Sequence, residues 1–180
     1  MLSLLLIALI PDPNSRVPPT KAVDAVPRDT PMTQLAVLSL LDIVREYAAD
    51  PDLNYLLDPD RPERSWLRIH AAEEYEVWLI SWPPGASTDW HDHGSSYGAF
   101  TVLQGSLVEH TFDGGLKLND LEAGNAKAFG AGYAHDVRNE SDLPALSLHV
   151  YSPRLSTMTR FRFRGDRLEV LGVERAGEEW

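Results

Sequence analysis

The strongest constraint on this chain is a change of hydrophobic period at about residue 65. From there on, apolar residues recur at every second position in short runs: Trp66–His70, Glu74–Trp82, Ala99–Leu103, Leu107–Phe112, Leu116–Leu121, Ala145–Tyr151, Thr159–Arg164 and Leu168–Leu171. Alternation of this kind puts one face of an extended segment in a core and leaves the other elsewhere. Turn signals punctuate the runs, among them Pro83-Pro84-Gly85, Asp113-Gly114-Gly115 and Arg164-Gly165-Asp166. Many short strands at close spacing predict an all-β domain, a small antiparallel barrel or sandwich. Ahead of them the period is helical. Thr33 is placed to cap a helix over Gln34–Ala49, with Leu35, Leu38, Leu41, Ile43 and Val44 on one stripe and Asp50-Pro51 as its stop. A shorter helical piece, Leu53–Leu57, ends at Asp58-Pro59. The barrel should therefore carry an N-terminal helical cap over residues 32–60.

The first 31 residues read differently. Ten nearly uninterrupted apolar residues, far short of the roughly 20 that cross a bilayer, lead into a stretch holding six of the 13 prolines. They lack the basic start and small-residue cleavage pattern of a secretory signal. We expect residues 1–31 to lie outside the folded domain, as a leader, a linker or the product of an upstream start, and residues 32–180 to form one domain. No stable membrane association is expected, and the expected setting is a cytoplasmic monomer.

Charge and cysteine content exclude whole classes of chemistry. Sixteen Lys and Arg against 27 Asp and Glu give a net charge of −11 with no basic run, so phosphate backbones would repel the chain. Nucleic acid is not an expected partner. With no cysteine there are no disulfides, thiolate metal sites or cysteine nucleophiles. Histidines, carboxylates and hydroxyls must carry whatever chemistry there is.

Six histidines are present. His91 and His93, two residues apart on an extended segment, aim both rings at one face. His135 follows 42 residues after His93, just past Gly130-Ala131-Gly132. A strand returning beside the first would bring it in as a third ligand, and three neutral imidazoles leave positions open on a metal. Alone, the pair is weak evidence, because surface histidines are common. His70 and His110 have no partner at ligand spacing and read as solvated or strand-edge residues. Trp78, Trp82 and Trp90 read as barrel or rim filling.

Wider spacing sharpens this. Gly85, five residues, His91-Asp92-His93, four residues, Gly98, six residues and Gly105 resemble the first cupin motif, with one replacement. Gly124, five residues, Gly130-Ala131-Gly132, two residues, His135, three residues and Asn139 resemble the second, with glycine where proline is usual. The resemblance implies a jelly-roll barrel with His91, His93 and His135 on a metal. The first motif usually has a glutamate ligand where this chain has Gly98, which opens a further coordination position unless a carboxylate arrives from elsewhere. Asp92, between the two ligands, should point away from the metal.

Trp90-His91-Asp92-His93-Gly94, Leu103-Gln104-Gly105, His135-Asp136-Val137-Arg138-Asn139 and Ser147-Leu148-His149-Val150-Tyr151-Ser152-Pro153 make the chain similar to the cysteine dioxygenase family of thiol dioxygenases. The resemblance implies a mononuclear Fe(II) centre that adds both atoms of O2 to a thiol, giving a sulfinic acid. Ser147, His149 and Tyr151 alternate along one strand and match the family's Ser-His-Tyr relay; read without the motifs, they are equally a strand of inward polar residues satisfied among themselves. The cysteine that animal members join to the tyrosine is Gly98 here, so Tyr151 works uncrosslinked. Arg68 is the candidate clamp for a substrate carboxylate, against the reading of a surface arginine paired to Glu73 or Glu76. Arg61 and Arg64 lie near enough to leave the register open, and Trp66 stands where a tyrosine is often found. The implied partners are O2 and a small thiol, L-cysteine first and 3-mercaptopropionate or another thiol acid second. A cupin of a different kind, an isomerase or a ligand-binding module with a structural metal, has no evident use for His149 or Tyr151.

Overall fold

The computed structural model describes residues 31–176, with side chains from Ser39 onward. One helix, α1 (Pro31–Ala48), and a single 3-10 turn (Pro51–Tyr55) precede ten strands. The helix starts two residues before Thr33, which therefore lies inside it and does not cap it. The expected Leu53–Leu57 helix is only the 3-10 turn. Pro51 opens it without wasting a donor, and the Asp50 carboxylate accepts from the Asp52 amide at 3.0 Å. The expectation for residues 1–30 lies outside the described residues.

The strands are β1 (Ser65–Ala71), β2 (Glu76–Trp82), β3 (Tyr97–Gln104), β4 (Ser106–Phe112), β5 (Leu116–Glu122), β6 (Ala126–Phe129), β7 (His135–Arg138), β8 (Ala145–Ser152), β9 (Thr157–Phe163) and β10 (Leu168–Arg175). All pairings are antiparallel. They form a five-stranded sheet in the order β1-β2-β8-β3-β6, a three-stranded sheet β5-β4-β7 and the hairpin β9-β10. The chain is mostly β, with antiparallel sheets and an N-terminal helix, as the alternating pattern predicts.

Two cores lie on opposite faces of the large sheet. On the outer face Leu40, Val44 and Leu53 pack against Val77, Leu79, Ala99, Leu146, Leu148 and Val150. On the inner face Trp82, Phe100, Val102, Ala145 and Tyr151 meet Leu107, Leu121, Phe129 and Val137. The central strand β8 shows why. Leu146, Leu148 and Val150 face the helix, so the period of 2 turns Ser147, His149 and Tyr151 into the barrel, all buried. Burying one large aliphatic side chain is worth about 2 kcal/mol, so a one-residue slip of β8 would trade three such gains for three buried polar groups. Register here is strongly specified. At the β3–β4 turn, Gly105 has φ +71°, and a Cβ there would lie 2.7 Å from the Pro144 carbonyl oxygen. Only glycine fits that corner.

Candidate metal centre

His91 and His135 are brought together by backbone. The His91 amide donates to the His135 carbonyl at 2.9 Å, and the His135 amide donates back to His91 at 2.9 Å. Residues that exchange both bonds sit directly opposite in an antiparallel pair, so their side chains rise from the same face. His93, two residues on, rises from that face as well. Ring centroids lie 4.8 Å apart for His91–His93, 4.8 Å for His91–His135 and 5.2 Å for His93–His135. Their candidate ligating atoms all fall within 4.8 Å of one another.

Hydrogen bonds behind the rings fix which nitrogen faces inward. His91 Nδ1–H donates to the Asp89 carbonyl at 2.8 Å, and His135 Nδ1–H donates to Glu109 Oε1 at 2.9 Å, so both turn an Nε2 lone pair to the centre. His91 Nε2 stands 3.2 Å from His93 Nε2. Burial, first of all, and then the neighbouring imidazoles push His91 and His93 well below the ordinary histidine range, which keeps them neutral. His93 Nδ1 has no partner among the described residues, so with the ring proton on Nδ1 three buried Nε2 lone pairs face one another, and a cation is what would satisfy them. The donor set fits a metal ion. Asp89 holds its carbonyl in place from a left-handed φ of 56°, uncommon outside glycine but tolerated by Asp. Asp92 points away, accepting from the Gly94 and Thr159 amides at 3.0 Å each.

No carboxylate completes this sphere among the described residues. A Cβ on Gly98 would overlap the Phe129 ring, and that ring stacks on His93 at 5.1 Å and lies 5.2 Å from His135. An aromatic side chain thus fills the room that a longer residue at position 98 would need.

Beside the trio runs a file of hydrogen bonds. Trp82 Nε1 donates to Ser147 Oγ at 2.8 Å, Ser147 Oγ lies 2.8 Å from His149 Nε2, and His149 Nδ1 lies 3.3 Å from the Tyr151 hydroxyl. With Ser147 Oγ already accepting from Trp82, the arrangement that uses every buried proton has Ser147 donating to Nε2 and His149 Nδ1–H donating to Tyr151. The phenol then keeps its own proton free to point into the cavity. Burial lowers His149 to about 3, so it is neutral. Burial, and secondarily the charge of Glu76, pushes Tyr151 up, so it stays protonated. Phe100 stacks on His149 at 5.1 Å and 9°, holding the ring flat. Trp82, expected only to fill space, anchors this file; its indole nitrogen carries no signal in the sequence.

The trio and Tyr151 open on a cavity of about 550 Å³, walled also by Trp66, Trp78, Ile80 and Leu155, with no acidic residue in its lining. Arg68 is not at that wall. Its side chain is half exposed, 3.4 Å from Glu76 Oε2 and stacked over Trp78, which is the pairing that competes with a clamp. Arg64, four residues earlier, lines the cavity instead. Its guanidinium sits 5.4 Å from the Trp66 and Trp82 rings, and no carboxylate pairs with it among the described residues. Burial, then the charge of Arg160, lowers its pKa. Arg160 also lines the cavity but is spoken for: Nε and Nη2 each reach Glu174 at 2.9 Å, and Nη1 donates to the Thr88 carbonyl at 3.0 Å. His110 is buried and bonds Glu140 at 2.8 Å, so it is neither solvated nor at a strand edge; His70 does lie on an edge strand, β1, stacked on Tyr75 with Tyr47 tilted against it.

Residues 35–164 match the family model for cysteine dioxygenase type I. The chain belongs to the cysteine dioxygenase family. Among solved structures it is similar to TT1209 from Thermus thermophilus, with 30% identity and a TM-score of 0.51 over 58% of this chain and 97% of that one. It is also similar to a double-stranded β-helix domain protein from Klebsiella pneumoniae, at 18% identity and a TM-score of 0.51 over 68% and 96% of the two chains. The latter shares the fold alone. Family membership and the trio together make the chain a metal-dependent cupin. Among the described residues no helix is long and apolar enough to cross a membrane.

Proposed function

We propose that the protein is an Fe(II)-dependent thiol dioxygenase acting on a small thiol that carries a carboxylate, with L-cysteine and 3-mercaptopropionate as the leading candidates. The observation that carries this reading is the junction of the open trio, at its edge, with a neutral Tyr151 whose proton is free. The reaction adds both atoms of O2 to sulfur, RSH + O2 → RSO2H, with no outside reductant. The four electrons come from sulfur; when bound, iron(II) would supply the redox path between sulfur and O2 and the open coordination positions.

The chain's own residues supply the rest. His91, His93 and His135 hold the metal and, lacking a carboxylate, leave room beside it. Tyr151 donates its hydroxyl proton to the reacting sulfur or oxygen atoms, and His149, steadied by Ser147 and Trp82, holds the phenol in line for it. Arg64, rather than Arg68, faces the cavity as a guanidinium without a carboxylate partner and pairs with the substrate carboxylate, where two parallel N–H···O bonds fix orientation as well as charge. Trp66, Trp78 and Leu155 exclude water from the reacting atoms. An α-ammonium finds no acidic side chain in the lining, which makes 3-mercaptopropionate an equal of cysteine as a first trial.

Oxygen uptake by the iron-loaded chain, measured with both thiols and with the ethyl ester of 3-mercaptopropionate, tests this. The reading expects one O2 consumed per sulfinate formed with at least one of the acids, and a much raised KM for the ester. Iron bound stoichiometrically with no thiol-dependent uptake would overturn it.

A further inference from the structure

Glu109 is a carboxylate wholly shielded from solvent behind the trio, yet it lies outside both cupin motifs and the Ser-His-Tyr relay. It sits on β4 opposite Val137 of β7, one step diagonal from the Thr111–His135 pair, so its side chain leans toward His135 on the shared face. Its Oε1 accepts from His135 Nδ1–H at 2.9 Å and from the Tyr133 hydroxyl at 3.3 Å. Its Oε2 accepts from Lys127 Nζ in a close ion pair and from Asn119 Nδ2 at 3.4 Å. Lys127 in turn donates to the Tyr133 hydroxyl at 2.8 Å. Four donors around one carboxylate leave it no freedom to turn.

That arrangement has two physical consequences. A carboxylate against Nδ1–H locks the His135 ring and its tautomer, and it pushes electron density through the imidazole onto Nε2. Among the three imidazoles only His135 has a charged group behind it: His91 has a neutral carbonyl, and His93 Nδ1 is buried with no partner among the described residues. Lys127 works against the push by drawing charge toward Oε2. We propose that Glu109 is the positioning residue for His135 and raises its strength as a metal ligand, with Lys127 setting how much of the carboxylate's charge the metal feels. A site whose ligands are all neutral thereby gains a negative group one bond further out. The proposal rests on the trio's holding a metal, and it does not require that the substrate be a thiol.

Cobalt(II) binding to the full chain, followed by its visible absorption, separates the two. The unmodified chain should bind one cobalt; failure to do so would overturn the metal reading and this proposal together. Since removing Glu109 alone strands a half-buried ammonium, the first variant is the neutral pair Glu109→Gln/Lys127→Met. It should fold, bind cobalt about 10- to 100-fold more weakly and show a shifted absorption band. The second variant, Lys127→Met alone, frees the carboxylate toward His135 and should bind cobalt at least as tightly as the unmodified chain. In the iron-loaded proteins the midpoint potential should rise in the first variant and fall in the second. A merely structural role for Glu109 would not give opposite signs. Cobalt affinity and spectrum unchanged in the folded double variant, or potentials moving the same way in both, would overturn the proposal.

Discussion

The histidine trio and the Trp82–Ser147–His149–Tyr151 file are neighbours in one barrel, and both are buried polar clusters built in opposite ways. His91 and His135 turn acceptors inward, and His93 brings its Nε2 to 3.2 Å from that of His91, so the cluster gathers more inward acceptors than it has protons to share. In the file each donor meets an acceptor, with a single hydroxyl proton left over. Their origins differ too. The trio is assembled from a loop edge and β7 across a hydrogen-bonded pair, whereas three members of the file lie on one strand. The contrast amounts to a division of labour: the trio is a socket for positive charge, and the file is a rigid handle on one proton.

The most severe test of that division is at His91. His91→Ala should abolish stoichiometric iron binding and drop thiol-dependent oxygen uptake to background while the fold, read by circular dichroism, is kept. A variant that still holds one iron would dissolve the distinction. Next in size, Tyr151→Phe should retain iron fully and lose about 10²- to 10⁴-fold in kcat, so metal analysis and turnover part company. Loss of iron in this variant would instead make the two clusters one.

Acid separates the clusters further. Because burial lowers His149 from about 6.5 when unfolded to about 3 when folded, the unfolded chain takes up the proton first. Stability of the metal-free protein is therefore complete at neutral pH and falls as pH drops through 6.5 toward 3. The loss from this one group is on the order of 3 kcal/mol by pH 4. Denaturant midpoints from pH 7 to pH 4 measure it, and a His149→Asn variant should show a shallower decline. An equal slope in that variant would mean that the file is not where the proton goes. The smallest effect belongs to Gly98→Ala, whose added methyl would overlap Phe129. It should cost about 1–3 kcal/mol of unfolding free energy, and a neutral result would show that the ring is free to move.

How much of this is readable beforehand varies with the distance over which each feature is encoded. Ser147, His149 and Tyr151 share a face because of a period of 2, which is visible in a handful of residues. The β8 strand is legible for the same reason. The strand β6, Ala126–Phe129, leaves almost no trace because it is short and two of its residues are alanine. Arg64 and Arg68 lie four residues apart, and contacts that the sequence does not show, Arg68 with Glu76 and the Trp78 ring, leave Arg64 alone at the cavity wall. Glu109 needs the β4–β7 register, although one local clue exists: it keeps phase with Leu107, so a charged residue stands on a core face. The reciprocal bonds that set His91 against His135 have no local signature.

The β9–β10 hairpin reaches beyond the residues that match the family, and its last strand carries Glu174. By neutralising Arg160, that carboxylate leaves Arg64 as the cavity's single uncommitted cation among the described residues. If the proposed guest carries one negative charge, the match between guest and chamber is thus written partly at its far margin. A chain shortened before residue 174 would leave Arg160 held by the Thr88 carbonyl alone and add a second guanidinium without a carboxylate to the cavity wall, so the tail sets the chamber's charge from outside it.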